Sequence, residues 1–160
     1  MEWGAVLHQL LQLQMANPEA NLARFARPAL LEHGLEPEQT EAAVATVRAV
    51  MRSSLWQRAM QSRKRMTEVP FALCREKEES GPVLLRGVMD LVFQEEDGWV
   101  LVDYKTDRVQ GKKLETLAAR YAAQVRLYAE AWARCTGAAV KEAGLYFLPA
   151  GRWVPLPRSK

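Results

Sequence analysis

The chain has 160 residues, 49% of them hydrophobic and 26% charged, with a formal net charge of +3 and a pI near 9.0. That size and mixture suit one globular domain over residues 1–160 and exclude disordered, collagenous and low-complexity classes. No apolar run reaches the ~20 residues that a membrane-spanning helix needs.

Residues 1–64 read as helical. In WGAVLHQLLQLQM, Trp3, Leu7, Leu10 and Leu11 fall on one stripe,. The segment starts with an acid rather than a basic region before its apolar residues, so it is not read as a secretory leader, and a cytoplasmic protein without membrane contact is expected,. PEANLARFARPALLEHG predicts a second helix, with a break expected near Pro28 and a stop at Gly34, His33 being an ordinary helix-end residue,. EPEQTEAAVATVRAVMRSSLWQRAMQ places Pro37 near a first turn and runs long or bends near Ser53 and Ser54,. The stretch 52–65 holds five basic residues and no acid, a pattern that fits contacts with phosphates or a solvated helix face,.

At Met66 the pattern changes to strands. RMTEVPFALCRE, VLLRGVMDLVFQ and WVLVDYKT are three strand-like runs, and Asp97-Gly98 is a hairpin turn signal between the last two,. LETLAARYAAQVRLYAEAWARCTG (114–137) is a helix closed by Gly137, and AAVKEAGLYFLPAGRWVPL supplies a longer strand and a short returning one. The expected class is α/β: a mixed central sheet flanked by helices, its catalytic core over 65–155 and its helical part over 1–64. Cys74 and Cys135 have no CxxC neighbour and read as reduced thiols rather than a disulfide or metal framework,.

The third strand ends by placing Asp103 and Lys105 two residues apart, on the same face of a strand,. Charges aimed out of an apolar sheet are costly unless paired or holding a metal. A two-residue hairpin loop at Asp97-Gly98 sets Asp90 opposite Lys105; a four-residue loop, Glu95 to Gly98, sets it opposite Asp103. Either brings Asp90, Asp103 and Lys105 to one face. Two carboxylates on adjacent strands suit one hard cation such as Mg²⁺, beside which Lys105 can steady developing phosphate charge; a plain Asp–Lys salt bridge is the alternative. His8 lies one turn after Gly4 beside the apolar stripe, and an imidazole suits Mn²⁺ better than Mg²⁺. Gln124 and Tyr128 lie at i and i+4 on the late helix, with Tyr121 on the same stripe. An amide among apolar neighbours needs a partner, whereas the tyrosines also fit simple core packing. Glu68 in TEVPF offers a further acid from the first strand.

Taken in order, GAVLHQLL, EVPF, GVMDLVF, LVDYKTD and YAAQVRLYAEA resemble the RecB-type nuclease family of the PD-(D/E)xK superfamily. The closer similarity is to the C-terminal nuclease domain of AddA-type helicase–nuclease subunits. The resemblance spans nearly the whole chain, with residues 20–60 least diagnostic, and Met89-Asp90 stands where the superfamily name has Pro-Asp. It implies a restriction-endonuclease-like fold and a Mg²⁺-dependent exodeoxyribonuclease of double-strand-break repair. His8, Asp90, Asp103 and the Tyr104 carbonyl would be the metal ligands. Lys105 would be the catalytic lysine, with Gln124 and Tyr128 in the supporting helix motif and Glu68 and Tyr121 less defined. The four cysteines of the iron–sulfur members are missing, so no cluster is expected. No G-x-x-x-x-G-K-[ST] loop is present, so no nucleotide is expected to bind,. The implied partners are DNA, a helicase motor in the same parent chain and the second component of an AddAB-like complex. A catalytically inactive nucleic-acid-binding or subunit-interaction module on the same fold is the alternative.

Overall fold

The first helices follow the apolar periodicity of the sequence. In α1 (Glu2–Ala16) Val6, Leu7, Leu10 and Leu11 are buried and Trp3 packs at their edge. The structure, a computed structural model, describes residues 2–77, 81–108 and 111–157. α2 (Leu22–Glu32) is capped by Asn21, whose side chain accepts a hydrogen bond from the Arg24 amide,. It runs through Pro28, so the expected break is absent. Pro28 sits on the exposed side, while Ala26, Ala29 and Leu30 anchor the helix on both sides of it.

After a 3-10 turn at Pro37–Gln39 comes α3 (Thr40–Met51). A second helix, α4 (Ser54–Gln61), starts where the Ser53 hydroxyl accepts from the Trp56 amide, so the long segment bends at the serine pair.

Five strands follow: β1 (Arg65–Lys77), β2 (Gly81–Glu95), β3 (Gly98–Lys105), β4 (Val140–Phe147) and β5 (Arg152–Pro155), with α5 (Lys112–Thr136) between β3 and β4. They form one sheet in the order β1-β2-β3-β4-β5. Neighbours are antiparallel except β3 and β4, which are parallel, as a crossover through α5 requires,. α1–α4 pack on one face with Leu91, Phe93, Val100, Val102 and Tyr104. α5 covers the other, where Tyr128 and Trp132 meet Val92 and Leu101, and Val125 meets Leu145 and Phe147. This is the expected α/β architecture, a mixed sheet between helical layers with a helical N-terminal half.

Two local features place the site. The hairpin turn is Glu96-Asp97, one residue earlier than the sequence signal, with Gly98 opposite Glu95 as the first residue of β3. A Cβ on Gly98, whose φ is +139°, would lie 2.9 Å from the Ala139 carbonyl. That glycine serves the close approach of β4 rather than the turn. The pairs Gln94–Trp99 through Leu91–Val102 put Asp90 in phase with Asp103, as in the four-residue alternative.

The second feature is an inversion of faces. Val92 faces α5 in strict alternation with Leu91 and Phe93, yet Met89 also packs in the α5 cluster. β2 therefore switches sides at Asp90. β1 is irregular at the matching place: Thr67 pairs with Leu91 and Val69 with Met89, while Glu68 between them has φ +52°. Such a conformation is strained for a residue with a Cβ, and strain of this kind gathers at functional sites.

Candidate active site

Asp90 sits at the inversion. Regular pairing of β2 with β3 ends at Leu91–Val102, and the Asp90 carboxylate enters the opening, accepting a hydrogen bond from the Tyr104 amide at 2.6 Å through Oδ2. Its Oδ1 lies 3.3 Å from Nδ1 of His8. α1 brings His8 there because it seats closely at its start: a Cβ on Gly4 would stand 3.3 Å from the Thr106 hydroxyl. A glycine inside a helix costs about 1 kcal/mol relative to alanine; here it lets the helix approach the end of β3. The His8 ring meets the Tyr104 ring edge-on at 5.7 Å. Glu68 completes this side: ligand atoms of His8, Glu68 and Asp90 all lie within 4.8 Å of one another.

The lysine side is built on β3 and α5. Asp103 and Lys105 share the α5 face, and Lys105 Nζ lies 2.6 Å from Asp103 Oδ2. That contact has ion-pair length without hydrogen-bond alignment, leaving this buried oxygen without an aligned donor. Lys105 donates to Gln124 Oε1 at 3.2 Å, and Gln124 Nε2 donates to the Tyr128 hydroxyl at 2.6 Å. The ammonium also stands 4.2 Å from the centre of the Tyr121 ring, a cation–π distance,. Tyr121 is held in turn by its hydroxyl, which donates to Asp107 at 3.4 Å.

Expectation and structure agree on Asp103 and Lys105, which share a face. Asp90 leaves that face for the seam between strands, because the sheet inverts there. Glu68, a marginal candidate in the sequence, joins His8 and Asp90, whereas Asp103 is turned to Lys105 and outside that group. Tyr104 contributes its amide to Asp90 and its buried ring to His8 and Tyr146. Sequence reasoning missed Asp107 and Thr106. Both follow directly on Asp103-Tyr104-Lys105, and a search of the strand's next residues would have found them.

The electrostatics describe a site short of positive charge. Burial, then the charge of Asp90, raises the Glu68 pKa. The same two causes raise Asp103 against the pull of Lys105. Burial acts to lower the His8 pKa, but the Asp90 hydrogen bond and charge outweigh it, and the net shift is upward. Tyr128 is pushed well above its ordinary value by burial and then by Asp103, so it stays a neutral hydroxyl. Clustered carboxylates that resist ionisation are what a bound cation relieves. Two carboxylates and an imidazole within reach of one another, with the Asp103 carboxylate nearby, fit a hard divalent ion,.

A five-stranded mixed sheet flanked by helices, with these groups gathered at its opened seam, is an architecture of the restriction-endonuclease-like class. The PD-(D/E)XK nuclease superfamily model matches residues 1–154, and the chain belongs to that superfamily. Over 94% of its length it is 36% identical to the A subunit of the ATP-dependent helicase/nuclease of Acetivibrio thermocellus, covering 13% of that protein. It is likewise 36% identical over 91% of its length to the protein of the same name from Carboxydothermus hydrogenoformans, covering 14% of it. The Bacillus licheniformis counterpart, again of that name, is 31% identical over 94% of the chain, which covers 14% of it. The chain thus spans about one seventh of these curated relatives.

Proposed function

We propose that residues 1–160 form the nuclease domain of an ATP-dependent helicase–nuclease, hydrolysing DNA phosphodiester bonds from an end, in double-strand-break repair and recombination in the cytoplasm. The observation that carries this reading is the pairing of two groups in a chain of this superfamily: His8, Glu68 and Asp90 gathered within 4.8 Å, beside a lysine held by Asp103 and Gln124. The similarity to helicase/nuclease subunits supports the motor and repair setting. The partners this implies are a motor elsewhere in the parent chain and a second, AddB-like protein.

His8, Glu68 and Asp90 would hold a divalent ion, with Asp103 and the Tyr104 carbonyl completing its surroundings. Carboxylate donors favour Mg²⁺, and the imidazole makes Mn²⁺ acceptable. When bound, such an ion supplies Lewis-acid polarisation of the phosphate and a more acidic water.

The chain's own residues do the rest. Asp90 is fixed by the Tyr104 amide, so its free lone pairs keep one direction. Asp103, Gln124 and the Tyr121 ring hold the Lys105 ammonium in place, where its charge stabilises the oxygens of the phosphate under attack,. Gln124 transmits the position of Tyr128 to Lys105. The test is cleavage of end-labelled single- and double-stranded DNA by the chain with Mg²⁺, with Mn²⁺ and with EDTA, each with and without ATP. Metal-dependent shortening from the end, indifferent to ATP, is expected. Cleavage in EDTA, or none with either metal, would contradict the proposal.

A further inference from the structure

Past Asp90, β1 and β2 continue as a two-stranded arm. One face of the arm belongs to α5: Phe71, Leu73, Leu85 and Met89 pack with Tyr128 and Trp132, and Arg75 pairs with Glu130 of α5. The alternate residues Pro70, Ala72, Cys74, Leu84, Arg86 and Val88 form the other face and are exposed. The register sets Pro70 beside Val88, Ala72 beside Arg86 and Cys74 beside Leu84. Leu84 is 52% exposed and Val88 42%, so this is an apolar strip carrying one charge, Arg86. Following the same alternation along both strands leads to Glu68 and Asp90, on the side from which His8 approaches. At a rise of ~3.3 Å per residue, Arg86 stands about 13 Å from Asp90. Among the described residues Arg86 has no hydrogen bond or ion pair.

We propose that this face is the path of the nucleic-acid strand being cut, with Arg86 holding a phosphate next along the strand from the one at the carboxylates. The inference rests on the nuclease reading. A single strand offers phosphates at intervals and apolar base and sugar surfaces between them, which matches one guanidinium set among Leu84, Val88 and Pro70. Charge gives a second reason. The cluster of Glu68, Asp90 and Asp103 repels a polyanion, and Lys105 lies on the α5 side, occupied by Asp103 and Gln124. On this exposed strip Arg86 supplies a positive charge that offsets that repulsion for an incoming strand. Continuity with the carboxylates and charge complementarity favour a strand over a protein partner here.

The experiment is fluorescence anisotropy of a labelled single-stranded oligodeoxythymidylate with the 160-residue chain in EDTA, over a salt series. Steady-state cleavage of the same oligonucleotide with Mg²⁺ is measured alongside. Arg86→Ala is expected to weaken binding about fivefold. It should also flatten the slope of log affinity against log salt by about 0.7, the mark of one lost phosphate contact to a single strand. Arg86→Lys should restore the slope, and Val88→Asp should weaken binding by adding a like charge. Arg126→Ala, exposed on α5, is the control expected to behave as wild type. In cleavage, Arg86→Ala should raise KM in step with its binding defect, with kcat changed less than about twofold. Wild-type affinity and salt slope in both Arg86→Ala and Val88→Asp would overturn the strand path and leave the face to a protein contact. Failure of the wild type to bind the strand would overturn it as well. A wild type that shows the Arg86-dependent slope yet cuts nothing would reject the nuclease reading and keep the path.

Discussion

At the turn end of the β2–β3 hairpin, Glu95 is gripped by Arg58 at 2.7 Å and by Lys141 at 2.8 Å. Arg58 also reaches Glu142 at 3.0 Å and stacks over Phe93. At the far end of the same hairpin, Glu68, Asp90 and Asp103 crowd together with a single lysine and an imidazole. The two clusters use the same residue types in opposite ways. Ion pairing holds Glu95 down to about 2, whereas burial and mutual repulsion raise Glu68 and Asp103. The turn end joins α4 to β2 and β4 and is satisfied within the chain. At the other end the in-chain partners leave Glu68 and Asp103 raised by burial and by the charge of Asp90.

The largest effect separating them is on activity. Asp90→Ala removes the carboxylate between His8 and the Tyr104 amide, and cleavage should fall at least about 10³-fold. Lys105→Ala should cost about 10²-fold or more in kcat, with metal affinity kept or improved because a competing cation is gone. Gln124→Ala, which frees Lys105 on one side and Tyr128 on the other, should cost about tenfold, read as kcat at saturating DNA. No substitution at Arg58 or Glu95 should touch kcat.

Stability should show the reverse. Glu95→Gln should lower stability by about 1 kcal/mol, the scale of a partly screened surface network. Its folded-state value lies below the ~4.3 of an unfolded glutamate, so the wild type holds this contribution above that pH,. It loses the contribution as pH falls toward about 2, and the variant's acid unfolding limb should be flatter across that window. Glu68→Gln should act the other way and raise the melting temperature slightly near pH 8 in EDTA, because it removes a carboxylate that folding leaves among like charges. Equal destabilisation by both variants would erase the distinction between the two ends.

How far these ends could be read from sequence follows the physics. Hairpin parity left Asp90 opposite either Lys105 or Asp103, a choice made by the observed register, and strand alternation put Lys105 beside Asp103, because both depend on the two-residue period alone. The switch of faces at Asp90 was not legible. It depends on a positive φ at Glu68, which no local residue preference announces. The partnership of His8 with Asp90 joins residues 82 positions apart and entered only through resemblance; the Gly4–Thr106 contact that permits it is tertiary. The basic stretch at 52–65 was open to a phosphate-binding reading. In the fold Arg58 is spent on Glu95 and Glu142, and Arg65 turns to the carbonyls of Met60 and Ser62. Arg52, Arg63 and Lys64 are the exposed remainder.

The central claim, that the far end of the hairpin is completed by a divalent ion, is tested most directly by thermal unfolding with and without Mg²⁺ or Mn²⁺. A ligand bound only by the folded state adds RT ln(1 + [L]/Kd), about 2.7 kcal/mol at a hundredfold excess over Kd. Wild type and Lys105→Ala should both gain this stabilisation, and Asp90→Ala should lose it while still folding in EDTA. If the three proteins melt identically with and without metal, the acids are structural and the account of the site is wrong.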